Sequence, residues 1–149
     1  MWLTRRNVLA VALAAARPAG AADGLALRGF DAVSYFLPEG PQAGSPAHEL
    51  AWRGRGWRFA SAANRAAFAR DPEVYAPRLG GHDPVGVLEG RLVDADPLVF
   101  ARLEGRLYLF RDSDRRDRLI ERLAGEPDLI ARAERLWPTL DRLQDGEPG

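Results

Sequence analysis

The sequence predicts an α+β fold: a small single domain of two related β-rich units, short antiparallel strands plus flanking helices. Three observations predict it. A segment Gly29-Phe30-Asp31-Ala32-Val33 returns as Gly81-His82-Asp83-Pro84-Val85. Each copy leads into apolar strand patterns joined across a short Gly-containing turn, Arg53-Gly54-Arg55 in one and Glu104-Gly105-Arg106 in the other. Each closes on a helical pattern and a Pro-containing acidic stretch, Asp71-Pro72-Glu73-Val74-Tyr75 and Glu126-Pro127-Asp128-Leu129-Ile130. Gly29 to Gly81, Phe59 to Phe110 and Phe68 to Ile120 recur at about 52 residues, one small supersecondary unit, which sets the repeats at 29–80 and 81–137. Units of this size cannot bury their own apolar faces, so the two are expected to pack on each other within one domain, 23–143.

The first 22 residues read as an address. Thr4-Arg5-Arg6 gives a charged start, Val8 to Ala16 an apolar run, and Ala19-Gly20-Ala21 a small-residue end. The apolar run is far short of the roughly 20 residues that a bilayer core requires, so it is a secretory signal peptide cleaved near residue 22. The Arg5-Arg6 pair ahead of Asn7-Val8-Leu9 resembles a twin-arginine signal, the alternative being ordinary secretion. Either route predicts a periplasmic protein with no stable membrane anchor after cleavage. Twin-arginine export of an already folded chain hints at a bound ligand.

In the first repeat, Ala32 to Phe36 reads as a strand closed by the turn Pro38-Glu39-Gly40-Pro41. His48 to Trp52 and Gly56 to Phe59 form a hairpin. Ser61 caps a helix in which Ala63, Ala66, Ala67 and Phe68 share a face, and Asp71-Pro72 ends it or starts another turn. In the second repeat, Val85 to Leu88 and Leu98 to Leu103 are candidate strands, the latter paired with Leu107 to Phe110. Ser113 or Asp114 caps a helix with Leu119, Ile120 and Leu123 inward and Arg115, Arg116, Asp117 and Arg118 on a solvated face. A last helix from Pro127 to Leu136 turns Leu129, Ile130, Ala133 and Leu136 inward, and Trp137-Pro138 stops or kinks it. Residues 144–149 read as a frayed tail.

Composition narrows the function. There is no Cys, hence no disulfide and no thiolate ligand, and no Lys, every basic side chain being Arg. The whole chain balances 21 basic against 21 acidic residues. Removing Arg5, Arg6 and Arg17 with the signal leaves the mature domain slightly acidic, without the basic stripe of a nucleic-acid binder. The lack of a long basic amphipathic helix argues against binding at a membrane surface. No Gly-x-Ser-x-Gly elbow, His-Glu-x-x-His pair, phosphate-cradling loop, Cys nucleophile or Schiff-base Lys is present, so no catalytic residue is assigned and the chain reads as a non-enzyme.

These residues resemble the YHS-domain proteins of the exported bacterial branch. The resemblance lies in Gly29-Phe30-Asp31-Ala32-Val33-Ser34-Tyr35-Phe36, in Trp57 to Phe68, in Asp71 to Pro77, in Gly80-Gly81, in Gly105 to Leu109 and in Trp137-Pro138. It spans nearly all of the mature chain. It implies a small α+β domain and says little about activity, metal binding being suspected for the family's relatives. Where many similar proteins follow the Gly-Gly pair with an aromatic residue and a Cys, this chain has His82-Asp83-Pro84. An imidazole and a carboxylate thus replace a thiolate, which shifts any site toward harder or weaker metal binding.

Asp31 and Asp83 are the sharpest candidates. Packing about a pseudo-two-fold axis would set Asp31, His82 and Asp83 around one cleft near Tyr35, able to hold a divalent transition metal such as copper or zinc. The competing reading is that each Asp accepts backbone N–H bonds in a turn after Gly. His48 reads as an edge histidine, and Trp52, Trp57, Tyr75, Tyr108 and Trp137 as core or repeat-interface aromatics. The expectation is therefore a binding module for a metal or another small ligand of unknown identity. Its rival is a metal-free accessory module that docks on a periplasmic protein.

Overall fold

The computed structural model describes residues 24–146; residues 1–23, where the signal peptide is expected, and the last three residues lie outside the described residues. Among the described residues the architecture is α+β, with two antiparallel hairpins and five α-helices arranged as two similar units. In the first unit, β1 (Ser45–Trp52) pairs with β2 (Arg55–Phe59), followed by α1 (Ala62–Arg70) and α2 (Pro72–Tyr75). In the second, α3 (Pro84–Leu88) precedes β3 (Asp96–Leu103) and β4 (Arg106–Phe110), and α4 (Ser113–Leu123) and α5 (Leu129–Gln144) follow.

The repeat extends to backbone detail. Arg53-Gly54 and Glu104-Gly105 both take the left-handed conformation that a tight two-residue hairpin turn requires. Both long strands slip register at matching places, between Ser45 and Glu49 and between Asp96 and Phe100. At the first slip a Cβ on Gly44 would lie 2.4 Å from the backbone carbonyl carbon of Arg58, so only glycine admits that approach. Upstream, Leu27 to Gly29 and Leu79 to Gly81 are matching left-handed turns. The offset is 52 residues at these turns and 51 in the hairpins and the helices that follow them. Phe68 therefore corresponds to Leu119, both fully buried, and not to Ile120, which is 43% exposed.

Two segments read as strands are helical. Val33–Phe36 is a 3-10 turn and Pro84–Leu88 is α3. In each, an Asp side chain accepts the first backbone N–H groups and bends the chain, and the β-branched residues follow that cap rather than their strand preference. Asp112, not Ser113 or Asp114, caps α4. The buried positions of α1 are Phe68 with the half-buried Asn64 and Ala67, while Ala63 and Ala66 face solvent. In α5, Leu129 and Ala133 are buried but Leu136 is 44% exposed, and the helix runs on through Pro138 to Gln144.

β4 is the partition of the molecule. Successive side chains point to opposite faces of a strand, and here Leu107 and Leu109 join the core of the first unit while Tyr108 and Phe110 join that of the second. The first core is centred on Tyr35, Trp57, Phe59 and Phe68, the second on Val87, Leu119 and Leu129. The Tyr35 hydroxyl crosses the divide to donate to the Pro97 carbonyl at 2.7 Å, and its ring meets Phe100 edge-on.

Candidate functional site

Each aspartate is the hub of its own repeat. One oxygen of Asp31 accepts from the Val33 and Ser34 amides at 2.8 and 3.3 Å; the other accepts from the Ala60 amide at 2.9 Å and the Asn64 side-chain amide at 2.7 Å. Asp83 repeats the scheme. One oxygen accepts from Val85 and Gly86 at 2.7 and 3.2 Å, the other from the Arg111 amide and Arg115 Nε, both at 2.9 Å. Both carboxylates are fully buried. Each ties the start of its unit to the end of the hairpin and the helix beyond it. Arg115, expected on a solvated face, instead reaches inward as the counter-charge of Asp83.

This arrangement does not fit the expected metal centre. Every carboxylate oxygen of Asp31 and Asp83 already receives two N–H donors of its own repeat, so the two aspartates and His82 do not form one cleft. Among the described residues no group of three or more His, Asp or Glu side chains is placed to hold a metal ion. The Asp94 carboxylate lies 4.0 Å from His82 Nδ1, and its side chain is 94% exposed.

His82 lies elsewhere, on the wall of a groove of about 870 Å³. The two matching left-handed turns converge there, Leu27-Arg28 from one repeat and Leu79-Gly80-Gly81 from the other. Left-handed backbone at non-glycine residues such as Leu27, Arg28 and Leu79 is held only where the surroundings enforce it, and it concentrates at ligand sites. All three tryptophans of the described residues, Trp52, Trp57 and Trp137, line the same groove. The Trp137 ring rests on Gly80, where a Cβ would lie 2.6 Å from it, and stacks obliquely on the His82 imidazole at 5.5 Å.

A polar strut fixes this wall. Arg78 donates to both oxygens of Glu134 at 2.9 and 3.0 Å, and the Tyr108 hydroxyl donates to the same carboxylate at 2.8 Å. The strut joins the start of the left-handed turn to α5, which carries Trp137. Burial opposes the charge on Glu134, but the Arg78 and Tyr108 hydrogen bonds outweigh it and hold the carboxyl below its usual range. The hydrogen bond to Glu134 raises the Arg78 guanidinium, and burial, then Glu134, raises the Tyr108 hydroxyl.

His82 itself is only 12% exposed at its side chain, and its buried Nδ1 has no hydrogen-bond partner. Its counterpart in the first repeat is Phe30, partly buried against the core. The repeat thus supplies the signal that reading residues singly misses. Leu27/Leu79, Gly29/Gly81 and Asp31/Asp83 match between the copies, whereas 30/82 and 28/80 differ, and Arg28, Gly80 and His82 all face the groove.

The fold and the groove define a two-repeat α+β module with a cleft between the repeats. Comparison with family models, curated proteins and solved structures finds no match to this chain.

Proposed function

We propose that the chain is an exported, non-enzymatic binding module of the YHS-like kind, and that it holds a small organic ligand in the groove between its repeats. The observation that carries this reading is His82. A nearly buried imidazole whose Nδ1 has no hydrogen-bond partner weakens the fold, since an unmet polar group costs about 1–3 kcal/mol. The equivalent position in the other repeat shows that an aromatic hydrocarbon serves the fold there. The imidazole lines the groove and is available to a partner that arrives there, and a drug-sized cleft with aromatic walls and a few polar groups suits such a partner.

The test uses the mature protein purified from the periplasm, whose amino-terminal residue also checks cleavage near residue 22. Small organic compounds, Cu²⁺ and Zn²⁺ are each titrated while tryptophan emission and the His82 ring resonances are followed. The expected result is a saturable organic ligand that perturbs both and is lost in His82→Phe at an unchanged or raised melting temperature. Stoichiometric metal binding that His82→Phe abolishes would overturn the organic-ligand reading in favour of a metal. A partner protein bound equally by wild type and His82→Phe would move function away from the groove.

A further inference from the structure

Beside the groove lies a second pocket of about 630 Å³. The two share Arg28, Asp94 and Ala95 in their walls, so they adjoin. The smaller pocket brings three guanidinium-bearing residues, Arg28, Arg91 and Arg111, around one space. Arg91 is already paired with Glu89. Arg28 and Arg111 make no ion pair among the described residues. They come from opposite repeats, Arg28 from the left-handed turn of the first and Arg111 from just past the end of β4.

The acids nearby do not cancel them. Asp96 turns one oxygen to the Leu98 amide at 2.9 Å, and the Asp94 side chain is 94% exposed. In the larger groove Glu73 and Glu134 are each paired with an arginine, and the remaining acids, Asp94, Asp141 and Asp145, are exposed. The cleft therefore runs from an aromatic floor at His82 and Trp137 to two unpaired guanidinium groups, whose planar donor forks match a carboxylate or phosphate.

We infer that the ligand is a planar organic anion, its ring lying over His82 and Trp137 and its acidic group held between Arg28 and Arg111. This rests on the groove reading above and adds to it the chemical class. The anionic group anchors one end, and the stacked aromatic pair orients the other. A ligand bound this way bridges the two repeats, because one arginine comes from each.

The experiment titrates the mature protein with 2-naphthoate and with 2-naphthamide, which share the ring and differ in charge. Tryptophan emission and the His82 resonances report on the groove. We expect the acid to bind at least tenfold more tightly than the amide. That preference should collapse toward unity in Arg28→Gln and in Arg111→Gln and persist in Arg118→Gln, which lies on α4 outside both pockets. The backbone bond from Arg111 to Asp83 survives its side-chain change, so folding is not at issue, and circular dichroism checks it. Equal affinity for acid and amide, with both still perturbing His82, overturns the anion assignment and leaves the groove reading standing. An equal loss in Arg118→Gln reduces the preference to general charge and also overturns it. If neither probe perturbs Trp137 or His82 at millimolar concentration, both readings fall.

Discussion

Asp31 and Asp83 hold the same station in the two repeats, each with one oxygen on the turn that follows it and the other on the far end of its hairpin and the next helix. The second donor pair is where they differ. Asp31 meets the neutral amide of Asn64, whereas Asp83 meets the charged guanidinium of Arg115. Equivalent aspartates therefore solve the same folding problem with unequal electrostatics.

Asp31→Asn and Asp83→Asn are accordingly expected to destabilise far more than the ~1 kcal/mol of a simple cap. An amide NH₂ turned against backbone N–H donors costs on the order of 2 kcal/mol at Asp31. At Asp83 the partly buried Arg115 also loses its counter-charge, which raises the cost to about 3–4 kcal/mol. Urea unfolding of both variants checks the order. Equal losses would mean that the Arg115 pair contributes nothing.

Gly80→Ala should cost about 2–3 kcal/mol and shift tryptophan emission, because the new Cβ meets both a left-handed backbone at φ +58° and the Trp137 ring. Gly105→Ala meets open space at φ +75° and should cost only about 1 kcal/mol, with emission unchanged. Thermal melts and fluorescence of the two variants separate backbone strain from the loss of the Trp137 seat.

Tyr35→Phe removes the hydroxyl that spans the two units and leaves the buried Pro97 carbonyl unmet. A loss of about 1–2 kcal/mol is expected, with the single cooperative transition retained, since Leu107 and Leu109 still lock the units together. Two transitions in calorimetry would show that the hydroxyl, rather than β4, couples the repeats.

The Glu134 strut predicts an acid limb of stability. Its folded carboxyl titrates below the ordinary value of 4.5, so the unfolded chain binds more protons in that window. The contribution is complete above about pH 4.5 and is lost as pH falls through the lower folded value. Glu134→Gln should flatten the stability profile below pH 5 relative to wild type, measured by denaturation at a series of pH values. A parallel profile would assign the acid limb to other carboxylates.

His82→Phe copies the first repeat into the second. It should leave stability unchanged or raise it by about 1 kcal/mol, because it removes an unmet buried nitrogen without changing the ring's place. A clear loss of stability in urea titration would mean that the imidazole serves the fold after all.

The repeat, the hairpins with their Gly-containing turns, the Ser61 cap and the α+β class were legible in the sequence, because each depends on neighbours within a few residues. Local alternation also gave β4, although not that its two faces serve different cores. What local pattern could not give was the choice between strand and helix at Val33–Phe36 and Pro84–Leu88. There a buried carboxylate decides, and its grip relies on partners about 30 residues away. The same distance hid the inward turn of Arg115. Nor could local pattern give the partners of Asp31 and Asp83, whose oxygens each accept two N–H donors inside their own repeat. Sequence by itself determined that a small unit is built twice. Only the packing of one copy against the other decided that the left-handed turns, His82 and Trp137 share a groove, because a cleft between two bodies is a property of their contact and of neither chain segment alone.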